Sequence, residues 1–234
     1  YAGEYEHQAE QIIAGIRLRT PMMRIHTVAA GGGSILHYSD QRFLVGPDSA
    51  GANPGPACYR RDGPLCLTDC NVLLGKIQPA HFPAVFGDSG AMQLDSAGVM
   101  EKFAAFSQEN GFSDSEDSLY SIAEGFLSIA IENMAQAIRK ISVQRGYDVS
   151  RYTLCVFGGA GGQHACLVAD ALGMKTIYCH PLAGVLSAYG IGLAAISTVQ
   201  EAAIEQPLSA GLSAALQQHY ELLTELGRQE LQQQ

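Results

Sequence analysis

The residues with the clearest potential to bind a ligand are four glycines within the five positions Gly158 to Gly162. They follow a short β-branched and aromatic run, 153–157, and they precede a segment of small, helix-forming residues. This order predicts a strand, a glycine turn and a helix N-terminus. In such a turn, bare backbone can approach a bulky group and free N–H groups can bind an anion. The pattern therefore predicts a nucleotide or a similar anionic ligand.

Two common nucleotide-binding motifs do not fit this turn. A dinucleotide-binding loop carries glycine at its first, third and sixth positions, but counting from Gly159 the sixth residue is His164. No acidic residue lies near Cys179 and His180, where a ribose ligand would be expected. A P-loop needs Lys followed by Ser or Thr, whereas Gln163 and His164 follow these glycines. We interpret the turn as backbone on which a flat group lies, and a turn used only for packing is the alternative.

Other candidate residues lie near a second glycine turn and a short predicted helix. The turn Ala29 to Ser34 is explained equally well by a tight connection between strands and by a ligand contact. Asp69 and Thr68 precede a short apolar run, so helix capping is the simplest role for Asp69, and a buried carboxylate facing the site is the alternative. His26 and His164 each lie beside a glycine turn. With Asp69 they could form a metal- or carboxylate-binding cluster, although an isolated histidine is more often structural.

The elements that must position these residues change in character along the chain. Residues 1–86 are rich in Gly, Pro and short β-type runs. A strand is predicted at 22–28 and a hairpin at 35–45. The segment 46–56 is predicted to be a shaped loop, because its Gly and Pro content excludes a regular element.

Residues 94–196 are predicted to alternate helices and strands. The predicted elements are, in order, helix 96–106, a helix that Ser118 caps and that runs to about residue 145, strand 152–157, helix 163–172, strand 176–179 and helix 184–195. The segment 201–234 is predicted to be a helical tail.

Composition excludes several classes of protein. The formal net charge of −9 argues against a general nucleic-acid binder, which needs a basic face. No apolar run is long enough for a membrane span, and no secretory signal is recognisable. The six cysteines form no Cys-x-x-Cys pair, so a reduced, cytoplasmic protein is predicted, and a Cys66/Cys70 metal pair lacks further ligands nearby. No Gly-x-Ser-x-Gly elbow of a serine hydrolase is present.

Four longer motifs carry a family resemblance. They are TVAAGGGS at 27–34, VGPDSAGANPGPACY at 45–59, LTDCNVLLG at 67–75 and FGGAGGQHAC at 157–166. In this order, from about Ala2 to Ala195, they resemble the hydantoinase A / 5-oxoprolinase family. The last motif, together with residues 145–148, is most similar to the 5-oxoprolinase branch. N-methylhydantoinases and acetone-type carboxylases share the same ATP-using subunit.

The resemblance implies an α/β fold that is part of an actin/hexokinase-like (ribonuclease H-like) ATPase, with a mixed sheet and flanking helices. Residues 1–200 would be the C-terminal portion of that ATPase domain. The family's phosphate-binding stretch would come just before Tyr1, so the chain is expected to be a fragment that is inactive alone. The implied adenosine-side residues are Gly158, Gly159, Ala160, Gly161 and Gly162. Substrate or loop candidates are Gly31, Gly32, Gly33, Ser34, Ser49 and Asn53, and catalytic candidates are Asp69 and His164.

The resemblance also implies a reaction and its components. The intact enzyme would open 5-oxo-L-proline to L-glutamate with hydrolysis of ATP, using Mg²⁺ and in addition K⁺. Most phosphate and Mg²⁺ ligands would lie outside this chain. A hydantoinase B-like half or subunit would be a partner, and the intact enzyme would be an oligomer. The alternatives are a hydantoinase or carboxylase subunit, a non-catalytic actin-like nucleotide-binding module, and a structural subunit.

Overall fold

The computed structural model describes residues 7, 8, 10–13, 15–19, 22, 23, 25, 26, 28, 30–207, 209 and 211–233. The chain forms two compact units. The larger unit comprises His26–Ser187, and the smaller comprises Tyr1–Ile25 with Ala188–Gln234. The strands are β1 (His7–Gln8), β2 (Gln11–Ile13), β3 (Ile16–Leu18), β4 (Met22–Met23), β5 (Ser34–Ser39), β6 (Arg42–Ser49), β7 (Thr153–Val156) and β8 (Thr176–Cys179). The α-helices are α1 (Leu67–Leu73), α2 (Ser96–Glu109), α3 (Glu116–Val143), α4 (Gly161–Leu172), α5 (Leu186–Leu193) and α6 (Leu212–Gln233).

The described strands form four two-stranded sheets, three antiparallel and one parallel. Helices and strands therefore mix as the predicted α/β class requires. The predicted strand 22–28 is wrong over most of its length. Only Met22–Met23 is extended into a strand, paired with β1, whereas Ile25, His26 and Val28 lie in no strand. Residues 24 and 27 of that prediction lie outside the described residues.

The predicted hairpin is confirmed as β5 and β6. The two residues of its turn, Asp40 and Gln41, both have positive φ, which matches the twist of the flanking strands. The prediction that 46–49 lacks regular structure is wrong, because β6 continues to Ser49. The register shifts between the pairs Leu36–Val45 and Ser34–Ser49, so Gly46 and Pro47 lie in a bulge where no ladder donor is required.

Helix α3 is the centre of the core of the larger unit. It packs against α1, α4 and β6, and its side chains Leu119, Ile122 and Phe126 are buried. The predicted cap is wrong: Ser115 is the N-cap, and its Oγ accepts a hydrogen bond from the Ser118 N–H at 3.4 Å. The earlier start places Glu116 and Asp117 in the first turn, where carboxylates interact favourably with the helix dipole.

The predicted β-α-β unit is confirmed. Strands β7 and β8 are parallel, with Thr153 opposite Thr176, and α4 connects them. Helix α4 begins two residues earlier than predicted, so Gly161 and Gly162 belong to its first turn. Gly173, with a φ of 68°, ends it in the left-handed conformation that glycine adopts without strain.

The bounds of the remaining helices also differ from those predicted. Helix α2 extends to Glu109, past the predicted end at 106. The predicted helix 184–195 is a short 3₁₀ turn at Ala183–Val185 followed by α5. The tail is helical only from Leu212. No helix within the described part of the chain is long and apolar enough to cross a membrane.

Candidate functional site

The glycine turn between β7 and α4 is open on its outer side. A methyl group added at Gly158, Gly159 or Gly162 would meet no atom within 4 Å. Gly161 differs, because its methyl group would lie 2.9 Å from Val156 Cγ1. Gly158 has a φ of 88°, and its N–H donates to the Ala183 carbonyl at 2.8 Å. Gly158 and Gly161 are thus explained by backbone shape and packing, whereas Gly159 and Gly162 have no such local explanation.

The second glycine turn lies against the first. A methyl group at Gly32 would lie 2.6 Å from Thr68 Oγ1 and 3.4 Å from the Ala160 Cβ. Both the Thr68 N–H and the Thr68 hydroxyl donate to the Gly32 carbonyl, each at 2.9 Å. Helix α1 therefore holds the turn 31–33 beside Ala160, and a side chain at position 32 would displace the Thr68 hydroxyl from its hydrogen bond.

A cavity of about 290 Å³ lies between the two turns. Its volume is close to the lower end of the range for small-molecule sites, about 300 to 1,000 Å³. The polar side chains at its walls are Tyr59, Thr68 and Gln163, and Gln163 Oε1 accepts a hydrogen bond from Asn71 Nδ2 at 2.9 Å. The remaining lining residues are Gly32, Gly33, Ile77, Phe82, Leu94, Gly159 and Ala160.

The sequence analysis did not select Tyr59, Thr68, Asn71 or Gln163 as site residues. Gln163 directly follows the glycine turn, and Thr68 precedes Asp69, so their positions beside selected motifs were the available signals. The contact between Asn71 and Gln163 joins positions 92 residues apart, which no local pattern indicates.

The Asp69 carboxylate lies inside the protein and is surrounded by backbone donors. It accepts hydrogen bonds from the N–H groups of Ala57 at 3.0 Å, Cys58 at 2.8 Å and Cys66 at 2.8 Å. Burial raises the pKa of this carboxyl above its usual value, although the hydrogen bonds to Cys58, Cys66 and Ala57 act in the opposite direction. The Cys66 contact belongs to a capping box at the start of α1. Asp69 therefore does help to cap the helix, as predicted, but it does so from the third position inside α1, because the helix begins at Leu67 and its N-cap is Cys66.

The structure does not assemble the hypothetical metal cluster of His26, Asp69 and His164. Within the described ranges, no three His, Cys, Asp or Glu side chains are placed to hold a metal ion together. His164 is 4% exposed, and neither of its ring nitrogens has a hydrogen-bond partner among the described residues. Burial lowers the pKa of His164, and the charge of Lys76 lowers it further.

The loop candidates divide between different places. Gly32 and Gly33 line the cavity between the turns, and Ser49 Oγ would lie 3.0 Å from a methyl group at Gly33. Ser34 is buried and pairs with Ser49. Asn53 instead lines a separate polar cavity with Arg60, Arg61, Asp62 and Asp88.

Comparison with known proteins matches this chain to one family. A family model described as hydantoinase/oxoprolinase matches residues 1–200. The chain is 42% identical to 5-oxoprolinase 1 from Arabidopsis thaliana, an alignment that covers 100% of this chain and 19% of that protein. It is 46% identical to 5-oxoprolinase from Saccharomyces cerevisiae, over 82% of this chain and 15% of the relative. The chain thus spans less than a fifth of the length of these curated relatives.

Two solved structures resemble the chain over almost its whole length. The nucleotide-free structure of an acetone carboxylase has a TM-score of 0.78 at 24% identity, covering 98% of this chain and 33% of the other. The crystal structure of an ATP-dependent caprolactamase from Pseudomonas jessenii has a TM-score of 0.71 at 30% identity, covering 97% of this chain and 32% of the other. The acetone carboxylase shares the fold, and the caprolactamase is related in sequence as well.

Proposed function

The chain belongs to the hydantoinase/oxoprolinase family, and we propose that it is part of an ATP-hydrolysing enzyme that opens 5-oxo-L-proline to L-glutamate. The observation that carries this proposal is the similarity to proteins named 5-oxoprolinase, at 42% to 46% identity over most of the chain. The caprolactamase α subunit of Pseudomonas jessenii is 34% identical over 74% of the chain. The higher identity favours the five-membered lactam as substrate over the seven-membered ring of caprolactam.

The fold proposal follows from the same family. Residues 1–200 would be the C-terminal portion of an actin/hexokinase-like ATPase domain, and 201–234 would begin the following region. The β-α-β unit with its open glycine turn supports this assignment, because ligands of α/β sheets bind at the carboxyl ends of parallel strands. Phosphate loops and most Mg²⁺ ligands would be supplied by the remainder of the protein.

The glycine turn is proposed to form the adenosine-side wall of the nucleotide site. Gly159 and Gly162 present backbone that nothing in the described chain covers, so a flat base and ribose fit against it. Thr68 and Gln163 place polar groups at the adjoining cavity. A base held there would be oriented by shape on one side and by hydrogen bonds on the other.

The chemistry requires activation of an amide. Resonance makes the lactam carbonyl a poor electrophile. ATP, when bound, supplies the phosphoryl group that makes the amide oxygen a better leaving group for attack by water. Phosphoryl transfer depends on positioning and charge neutralisation, so the contribution proposed for this chain is to orient the nucleotide and to exclude water from one side of it.

Partners and conditions complete the proposal. The proposal includes a hydantoinase B-like half or subunit as a partner and an oligomeric intact enzyme. It also includes Mg²⁺ and K⁺ as ions and a cytoplasmic location. The caprolactamase relative is named as an α subunit, which supports a second component. The short share of each relative that this chain covers supports further regions in the same polypeptide.

The first test is ring opening by the longer polypeptide of which this chain is proposed to be part. We expect ADP release to depend on 5-oxoproline and to be slower with caprolactam or N-methylhydantoin. Equal or greater stimulation by either of the other rings would reject 5-oxoproline as the substrate. ADP release that no ring stimulates would favour the non-catalytic nucleotide-binding module.

The second test concerns the glycine turn. The variant Gly159→Val of the longer polypeptide should fold normally, because the added side chain points into open space. It should raise the KM for ATP about tenfold, equivalent to about 1.4 kcal/mol. Gly192→Val is the matched control, because Gly192 is equally open and lies in α5. A KM for ATP that is unchanged by Gly159→Val would remove the turn from the nucleotide site.

A further inference from the structure

A polar cavity of about 660 Å³ in the larger unit shares no lining residue with the cavity between the glycine turns. Its volume lies within the range of small-molecule sites, about 300 to 1,000 Å³. All five residues that line it are polar or charged: Asn53, Arg60, Arg61, Asp62 and Asp88. Because two of them are cations and two are anions, the cavity favours a ligand that carries charges of both signs.

Two of these four charges are already neutralised within the protein. Arg60 Nη1 lies 3.0 Å from Asp95 Oδ2, and Arg60 Nε donates to the Gln93 carbonyl at 2.7 Å. Asp62 Oδ1 lies 3.2 Å from Lys102 Nζ. The charges that remain for a ligand are therefore those of the other arginine and the other aspartate in the lining.

Arg61 and Asp88 line the same cavity, but within the described part of the chain they make no ion pair with each other or with another side chain. The Arg61 guanidinium donates only to the Ala52 carbonyl, at 3.4 Å, among the described residues. The two side chains thus leave a separate cation and a separate anion at one cavity, and each can form a charge-assisted hydrogen bond with a ligand.

The loop that carries Arg61 has an unusual backbone conformation. Arg60 and Asp62, on either side of it, have φ values of 62° and 53°, in the left-handed region that residues other than glycine seldom adopt. The loop also packs closely against itself, because a methyl group added at Gly63 would lie 1.8 Å from the Gly55 carbonyl oxygen. Backbone strain of this kind is concentrated at active sites and ligand-binding sites. A strained and closely packed frame therefore presents the arginine to the cavity.

We propose that this cavity binds the free amino acid L-glutamate, with its α-carboxylate at Arg61 and its ammonium group at Asp88. The choice of glutamate rests on the proposed function, in which glutamate is the product. The substrate 5-oxoproline carries one carboxylate and an uncharged amide nitrogen, and ring opening converts that nitrogen into an ammonium group and adds a second carboxylate. The side-chain amide of Asn53 is available to this second carboxylate. The cavity therefore distinguishes the product from the substrate.

A titration of the 234-residue chain, followed by amide chemical shifts, tests this site. L-Glutamate should shift the amides of residues 53, 60–62 and 88. Glutarate and 5-oxo-L-proline lack the ammonium group, so they should bind at least about tenfold more weakly. Equal affinity for glutamate and either of these two, or shifts confined to other residues, would overturn the proposal. The titration needs no turnover, so ring opening by the longer polypeptide without glutamate binding here would reject this site and leave the proposed function intact.

Two variants that each remove one charge separate the two contacts. Arg61→Gln should weaken glutamate binding at least about tenfold. Asp88→Asn should reduce the affinity for glutamate to that for glutarate, because it removes only the partner of the ammonium group. Both side chains are exposed, so neither variant should change the Tm. Arg42→Gln and Asp114→Asn make the same charge changes at exposed positions outside the cavity and are the controls. A similar loss of glutamate binding in the controls would indicate non-specific attraction by charge, and the proposal would fail.

Discussion

The six cysteines divide into two groups of three by burial. Cys58, Cys66 and Cys70 lie buried around Asp69, whereas the other three are exposed. Burial, reinforced by the negative charge of Asp69, raises the pKa of Cys66 to about 12, and the same two causes raise the pKa of Cys58 and Cys70 as well. These thiols stay protonated at neutral pH, so they are poor nucleophiles.

This division predicts the pattern of alkylation. Under native conditions at pH 8, iodoacetamide should modify Cys155, Cys166 and Cys179 and leave the other three intact, and all six should react after unfolding. Peptide mass spectrometry checks the assignment. Native modification of Cys66 at a rate like that of Cys166 would contradict the burial described for the Asp69 region.

The buried imidazole of His164 predicts a pH dependence of stability. Because burial lowers its pKa in the folded state, the unfolded chain binds the proton more readily. The free energy of unfolding should therefore fall as the pH drops below about 6.5, with a slope of at most about 1.4 kcal/mol per pH unit. Chemical denaturation of the 234-residue chain between pH 7.5 and 5 measures this.

A variant isolates the contribution of His164. As the pH falls, the free energy of unfolding should decrease more steeply for the wild type than for His164→Phe, because only the wild type has this buried imidazole to protonate. His81→Phe, at an exposed position, is the control and should follow the wild-type slope. Parallel curves for wild type and His164→Phe would show that His164 does not titrate in this window.

At the scale of elements, two serines that lie three residues apart have different roles at the start of α3. Ser115 accepts the hydrogen bond that caps the helix, and Ser118 supplies only its backbone N–H. Ser115→Ala should therefore lower the free energy of unfolding by about 1 kcal/mol. Ser118→Ala should change it by less than about 0.5 kcal/mol. Denaturant titration of both variants measures these changes. A larger decrease in the free energy of unfolding for Ser118→Ala than for Ser115→Ala would show that Ser118 is the cap, as predicted from the sequence.

Local signals predicted the elements best where turn chemistry and periodicity agree. The hairpin around Asp40 and the unit β7, α4 and β8 were predictable because each depends on neighbours in sequence. The continuation of β6 past Pro47 was not, because it depends on a register shift against β5. The cavity between the two glycine turns was also not predictable from local signals, because it depends on a hydrogen bond between Thr68 and Gly32, which lie 36 residues apart.

At the scale of the whole molecule, the proposed site is only one side of a nucleotide site. The described chain offers an open turn and a cavity, and the proposed phosphate and Mg²⁺ ligands lie in other regions. We therefore expect the isolated 234-residue chain to show no ATP-dependent opening of 5-oxoproline and at most weak nucleotide binding. Coupled measurement of ADP release checks this expectation. Turnover comparable to that of the longer polypeptide would contradict it.

The contacts around Gly32 connect two segments that are distant in the sequence. Ala160 lies close to Gly32, the Gly32 carbonyl accepts hydrogen bonds from Thr68, and the carboxylate of the adjacent Asp69 accepts hydrogen bonds from the N–H groups of Ala57 and Cys58. Because these contacts link the bend after β7 to residues 57–58, we expect a ligand that displaces this bend to shift residues 57–58 as well. Two segments about 100 residues apart in the chain are thus expected to respond together when a ligand binds at the cavity between them.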